Sequence, residues 1–330
     1  MTARVLLDAR SAGSWRMSGW ERYTRSLVSV AAEWDDVALY SSDPSSVAAR
    51  VRSDWISIPA RARDVDLVHC PTFPPAIAPR KGRAVAMTIH DLTWWKFPDT
   101  ATSMGMKYYK PMAEKAASRG VDLVTVTHTV AEELAEIFPT NPIHVVSPHP
   151  SSHSFSTTAD LSSVAGQHKP YFLAIGTVEP RKNLTRLAEA FRISGLSGDF
   201  DLKIIGRAGW ASAPPGVEIL GAISDQLMSD YLRGATALVV PSLYEGFGMP
   251  GVDALDQGVP VLCSDIPVFR ETASEAAGWF TPTDVESISH CLRDFVSGTP
   301  QKKTRSEEPT KYSKQRTASE LRAMYDRILH

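Results

Sequence analysis

Cysteine is scarce: the 330 residues hold three, Cys70, Cys263 and Cys291, and none sits in a C-x-x-C pair. Three thiols cannot build a disulfide framework, so buried free cysteines in a reducing compartment are expected. Long apolar runs are missing too. No segment approaches the about 20 apolar residues needed to span a bilayer. The apolar run near the N-terminus breaks at Asp8, too soon for a signal peptide. The expectation is a cytoplasmic protein, attached at most to the inner face of a membrane. Nor does one sign of charge dominate: the formal net charge of -2 gives no field for general nucleic-acid binding. Basic clusters do occur, at Arg50/Arg52/Arg61/Arg63 and at Arg80/Lys81/Arg83. Each reads as a solvated face or, more sharply, as a patch for peripheral contact with an anionic membrane. A G-x-S-x-G elbow, a Walker loop and a G-x-G-x-x-G fingerprint are all absent. Asp64-x-Asp66 and Asp199-x-Asp201 imitate metal-binding D-x-D motifs, but each immediately precedes an apolar strand and reads as a polar strand start. His144, His149 and His153 lack metal-ligand spacing, so no metal and no cofactor is expected.

What is present is an alternation of short β-rich apolar runs with longer helical stretches, the pattern of parallel α/β architecture. With 43% hydrophobic and 22% charged residues, a chain of this length can build two cores. Strands are expected at Val5–Asp8, Val37–Tyr40, Trp55–Ile58, Leu67–Cys70, Val85–His90, Leu123–Thr127 and His144–Val146, with helices over Trp20–Ala32, Met104–Arg119 and Val130–Ile137. A turn-rich stretch follows, and a second series opens with the strand Tyr171–Ile175. The resulting division is an N-terminal domain over 1–150, a linker over 151–169 and a second domain over 170–312. The helix in 313–330 is expected to pack back on the first domain. Two doubly wound parallel-sheet domains of this kind place ligands at the carboxyl ends of their strands, facing an interdomain cleft.

Two segments carry chemistry. Glu179-Pro-Arg-Lys-Asn183 follows a strand and a Gly176-Thr177 turn and opens a helix. Backbone N–H groups and the positive helix end favour phosphate there, and Arg181 and Lys182 would neutralise a diphosphate. The second segment, Pro241-Ser-Leu-Tyr-Glu245-Gly-Phe-Gly-Met-Pro-Gly-Val-Asp253, follows the strand Ala237–Val240. Its glycines permit close backbone approach, Pro250 suits a first helical turn and Gly258 a helix end. Glu245 is expected on the loop and Asp253 one turn into the helix. Each also has a plainer explanation, as a surface charge or as an acid favoured by the helix dipole.

Together these segments resemble the retaining GT-B glycosyltransferases of family four. Gly258-Val-Pro-Val261, Ile89-His90-Asp91-Leu92, Ile204-Ile-Gly206 and Leu220-Gly-Ala-Ile-Ser-Asp225 match in order as well. The resemblance covers nearly the whole chain. It implies a GT-B fold of two Rossmann-like domains and a nucleotide-sugar donor whose diphosphate is bound by Arg181 and Lys182. It implies that Glu245 holds donor-sugar hydroxyls, that the backbone of Gly246, Phe247, Gly248 and Met249 cradles the sugar, and that Asp253 binds ribose. His90 matches a histidine that contacts the donor sugar, and Gly19 matches the first glycine of a loop near the diphosphate. Three departures are visible: Asp253 stands where Glu is usual, Glu21 replaces the second glycine of that loop, and Pro148-His-Pro-Ser-Ser152 replaces a P-N-G-V-D segment. Trp94 and Trp95 stack on an acceptor sugar or pack at the rim.

The reaction so implied moves a hexose or deoxyhexose, with GDP-mannose the first donor considered, to a hydroxyl of a glycan, a lipid-linked glycan or a small molecule. It would proceed with retention and without a metal. The rivals are a nucleotide-sugar epimerase of similar fold and a non-catalytic nucleotide-sugar-binding protein.

Overall fold

The short Val/Ile/Leu runs become two six-stranded parallel sheets in a computed structural model, which describes residues 4–13, 19–41, 52–72, 74–150, 169–207, 217–298 and 311–330. The chain divides into two compact units, one of Met1–His149 with Lys311–His330, the other of Pro150–Thr310.

Unit 1 pairs its strands in the order β2-β1-β3-β4-β5-β6. These are β1 (Val5–Asp8), β2 (Val37–Tyr40), β3 (Leu67–Cys70), β4 (Ala84–Thr88), β5 (Asp122–Thr125) and β6 (Ile143–Val145). Its helices are α1 (Gly19–Ala31), α2 (Ile58–Arg61), α3 (Thr93–Lys96), α4 (Lys110–Ala117) and α5 (His128–Ile137). β1 and β3 are buried along their full length, as a parallel sheet covered on both faces requires. Leu27 on α1 and Leu134 on α5 are fully buried with Leu7, Leu67 and Leu123 of the sheet. Each such side chain contributes about 1.5–3 kcal/mol of transfer free energy.

The helix at Lys314–Leu329, α11 below, returns to this unit. Leu321, Met324 and Tyr325 are its buried apolar face. Polar contacts set its register: Thr317 Oγ1 donates to the Ser147 carbonyl at 2.8 Å, Ser147 N–H to Glu320 at 2.7 Å, and Arg322 to Asp36 at 2.7 and 3.1 Å.

Unit 2 pairs its strands in the order β12-β11-β10-β7-β8-β9. These are β7 (Tyr171–Ile175), β8 (Asp201–Ile205), β9 (Glu218–Gly221), β10 (Ala237–Val240), β11 (Val261–Ser264) and β12 (Gly278–Phe280). The covering helices are α6 (Leu184–Ile193), α7 (Asp225–Gly234), α8 (Met249–Asp256), α9 (Pro267–Thr272) and α10 (Val285–Ser297); α11 completes the series. Phe172 and Val239 of the sheet, Leu187 and Phe191 of α6, and Ile288 and Leu292 of α10 form one apolar cluster.

One expected element is corrected. Trp55–Ile58 is not a strand: it lies in a π-helical turn, Ser53–Ser57, that runs into α2. The buried residues here, Ser53, Asp54, Ile58 and Ala62, follow helical rather than alternating spacing. Asp54 is drawn inward by Arg10, whose Nη2 donates to it at 2.7 Å. A four-residue apolar run cannot by itself distinguish a strand from a helix. Several readings fall outside the described residues: nearly all of the linker over 151–169, His153, Arg50, and the middle of the loop between Ser11 and Gly19.

Candidate functional site

In unit 2 the chain leaves β7 toward β8 and leaves β10 toward β11, which lie on opposite sides of the β7–β10 pair. A crevice opens at the carboxyl ends of strands at such a switch point. The two chemistry-bearing segments are the loops after β7 and β10. At the first, Gly206 runs so close to Gly176 that a Cβ on Gly206 would lie 1.8 Å from the Gly176 carbonyl oxygen. The Lys182 stem passes over Gly176, 3.3 Å from where a Cβ would sit.

Pro180–Lys182 form a single 3-10 turn that ends on Asn183 in the left-handed region, φ 58°. Asn tolerates that conformation better than most residues. Its Nδ2 donates to the Pro241 and Pro282 carbonyls at 3.0 and 2.7 Å, fastening the first loop to the second and to the turn after β12. Leu243 N–H donates back to the Arg181 carbonyl at 2.9 Å.

The side chains then converge. Arg181 Nη1 donates to Glu245 Oε2 and to the Tyr244 carbonyl, both at 2.9 Å, while Nη2 donates to Glu179 at 2.7 Å. Lys182 Nζ donates to Glu245 Oε1, which also accepts from Ser242 Oγ at 2.7 Å. Burial pushes the Glu245 carboxyl up, but Lys182 and Arg181 outweigh it and hold the group down to about 2. Glu245 is therefore ionised across the physiological range. The Arg181 and Lys182 side chains retain 13% and 16% exposure, enough for a ligand to reach them. Gly248, at φ 82°, caps the start of α8; a Cβ there would fall 2.4 Å from Phe269. Asp253 is buried one turn into that helix.

Unit 1 treats its strand ends differently. His90 lies two residues beyond β4, and its Nε2 donates to the Pro71 carbonyl at 2.7 Å. A carbonyl only accepts, so the proton is on Nε2 and Nδ1 carries the lone pair. Burial lowers the ring to about 4, against the opposing pull of Pro71 and Asp91, and leaves it neutral at pH 7. Trp20 stacks on it at 5.9 Å, and Tyr23 meets it edge-on at 4.8 Å. Trp20 is held in turn by α1, which a ring of three hydroxyls ties to the segments after β1 and β3: Ser11, Thr24 and Thr72 lie 2.7–2.9 Å from one another. Gly19 is the exposed first residue of α1. Trp94 stacks on Tyr109 at 6.2 Å, and Trp95 donates to Glu114 at 3.1 Å.

Arg181, Lys182 and Glu245 are thus in direct contact, with the Gly246–Met249 loop and Asp253 on the same loop and helix. His90 and Gly19 belong to the other unit. Sequence reasoning missed Asn183, Glu179 and Ser242 as members of the network and Trp20 and Tyr23 as supports of His90. An Asn between a short turn and a helix was a usable signal for the first.

Residues 159–316 match the family model for glycosyl transferases group 1, and residues 18–149 match that for glycosyltransferase family 4. Both halves of the chain thus match glycosyltransferase family models. O-antigen chain mannosyltransferase B of Escherichia coli is 25% identical over 250 residues, 69% of this chain and 65% of that protein. O-antigen chain mannosyltransferase RfbU of Salmonella typhimurium is 26% identical over 225 residues, 64% of this chain and 61% of that protein. The chain therefore spans less than two thirds of either relative. The solved structure of WaaG, a glycosyltransferase involved in lipopolysaccharide biosynthesis, matches with a TM-score of 0.66 at 16% identity, over 98% of this chain and 95% of that one. At this identity the likeness shows the fold, which is GT-B. Among its described residues no helix is long and apolar enough to cross a membrane.

Proposed function

We propose that this chain moves a hexosyl or deoxyhexosyl group from a nucleoside-diphosphate sugar to a hydroxyl, with retention at the anomeric carbon and without a metal ion. The observation that carries this reading is the meeting of Arg181, Lys182 and Glu245 at the switch point of unit 2. Breaking the donor C1–O bond places negative charge on the departing diphosphate. Two side-chain cations beside a helix entry suit that developing charge. As the donor enters, its diphosphate replaces Glu245 as counter-ion of Lys182 and Arg181. The released carboxylate oxygens accept from sugar hydroxyls, so the buried Glu245 stays hydrogen-bonded during the exchange.

Asp253 takes the ribose hydroxyls and the Gly246–Met249 backbone the sugar. Neutral His90, with its lone pair on Nδ1, accepts from a sugar hydroxyl and does not act as an acid. The acceptor oxygen attacks C1 on the face the diphosphate leaves, and its proton passes to a donor phosphate oxygen. Mannose, carried as GDP-mannose, is the first donor because the relatives are named mannosyltransferases. The same names favour a glycan acceptor, free or lipid-linked.

The test is a thermal-shift screen of nucleoside diphosphates, followed by transfer from GDP-mannose to mannoside acceptors in the presence of a chelator. A ligand specific to the folded state raises apparent stability, so GDP should shift the melt and the product should keep the donor anomeric configuration. No shift with any nucleoside diphosphate, or strict dependence on a divalent ion, would overturn the donor-site reading. An epimerised sugar formed without acceptor would favour an isomerase.

A further inference from the structure

Two groups of cations that are separate in sequence meet on unit 1. The turn Arg80–Arg83 closes through reciprocal backbone hydrogen bonds of 3.0 and 2.9 Å, with Gly82 at φ 76° at its tip. It leans on the segment before β3: Arg83 Nη1 donates to the Ala62 carbonyl at 3.2 Å, and Arg80 Nη2 to the Arg63 carbonyl at 3.4 Å. Burial and the neighbouring Arg80 both lower the Arg83 guanidinium pKa. Arg61, Arg63, Arg80 and Lys81 are exposed.

The adjoining helical run from Arg52 to Arg61 extends this strip. Asp54, its one acid, is turned inward onto Arg10 at 2.7 Å, so it does not neutralise the surface. Arg52, Ile56, Ala60 and Arg63 face outward. Nearby, Asp66 is paired with Arg4 at 2.9 Å, which leaves Asp64 as the exposed acid of this stretch among the described residues. Ile56 is 61% exposed, more than any other large hydrophobic side chain among the described residues.

Solvation accounts for the arginines but not for an isoleucine among them. A nucleic acid or an acidic glycan would meet the charges and leave Ile56 in water. A bilayer interface satisfies both, with guanidinium groups at the headgroups and the apolar side chain at the acyl boundary. We propose that this strip, Arg52 to Arg63 with the Arg80–Arg83 turn, is a docking surface for a layer of anionic phospholipid headgroups. Arg63 and the Arg80–Arg83 turn precede β3 and β4, at the strand edge opposite the one that carries His90. The proposal does not depend on the donor reading, because none of these residues takes part in the Arg181–Lys182–Glu245 network.

The test is co-flotation of the full chain with vesicles of phosphatidylglycerol or of phosphatidylcholine. It should float with the first and not the second, and added salt should release it. Arg63→Gln combined with Lys81→Gln removes two surface charges and should weaken binding about thirtyfold. Ile56→Ser should weaken it about tenfold while leaving retention on heparin, a lipid-free polyanion, unchanged. Flotation with neither lipid or equally with both would overturn the proposal. So would an Ile56→Ser variant that floats like the wild type. Circular dichroism melts check that the variants fold, and the lipid and salt dependence of the wild type decides the matter if one does not.

Discussion

The two units build the same kind of sheet and equip its carboxyl edge in opposite ways. Unit 2 concentrates charge there: two cations and two carboxylates, Glu179 and Glu245, locked by side-chain hydrogen bonds of 2.7–2.9 Å and by the Lys182–Glu245 pair. Unit 1 places a neutral imidazole between two aromatic rings beyond β4, and the charges at the end of β1, Asp8, Arg10 and Asp54, are buried against one another and closed to a ligand. Strand order separates them as well, since unit 2 switches between β7 and β10 whereas unit 1 switches between β1 and β3. A shared scaffold therefore says little about what each edge binds; the loop residues decide it.

The largest effect expected from a single change tests whether unit 2 depends on its backbone contact. Gly206→Ala drives a Cβ into the Gly176 carbonyl and should cost more than about 4 kcal/mol, a size reserved for severe packing faults. Hydrogen exchange should then show unit 2 opened and unit 1 still protected; a normal melt would mean that the approach of the two loops is not a constraint. The next effect contrasts an ionic with a neutral contribution. Lys182→Met should lower kcat about 10²–10³-fold, as loss of a group stabilising transition-state charge does. His90→Ala removes one neutral hydrogen bond and should cost about tenfold. If His90→Ala proved the more damaging, the contrast between the units would have to be reversed.

In acid the effect is graded, growing from nothing near neutrality. His69, fully buried between Tyr325 and Thr88, is pushed down to about 3 by burial, with His144 and His90 adding to it. Its folded pKa lies below its ordinary 6.5, so the unfolded chain takes up the proton first. The stability it contributes is present above pH 6.5 and is lost as pH falls from there towards 3, about 2 kcal/mol by pH 5. Glu245 follows the same sign in a lower window: its contribution holds above 4.5 and is lost between 4.5 and about 2. Peptide-resolved hydrogen exchange, corrected for intrinsic rates, should therefore show unit 1 loosening first on acidification. Simultaneous loosening would mean that the two edges are not electrostatically distinct.

Much of this was readable in the sequence, for identifiable reasons. Parallel strands buried on both faces advertise themselves as unbroken apolar runs, and β7 and β10 were found that way. Arg181, Lys182 and Glu245 stood out because charged residues follow such runs directly. Trp55–Ile58 misled because a short apolar run has no period of its own, and only the distant Arg10 shows which way Asp54 turns. The support of His90 by Trp20 was hidden for a similar reason: their stacking joins residues far apart in the chain, and periodicity reports only neighbours. Asn183 bonds to carbonyls near residues 241 and 282, partners that no local pattern names.

The return of α11 to unit 1 has a consequence during synthesis. Everything from Met1 to His149 is synthesised before the residues of unit 2. At about 5–20 residues per second the interval before Lys311–His330 follows is on the order of ten to thirty seconds. Throughout it, the seat later filled by Leu321, Met324 and Tyr325 is open, and His69 lacks the tyrosine hydroxyl it will meet at 3.1 Å. Unit 2 is contiguous in sequence and can close as soon as it emerges. The nascent chain thus has its second unit complete while its first still waits for its last helix, and that open seat is where a chaperone would find it.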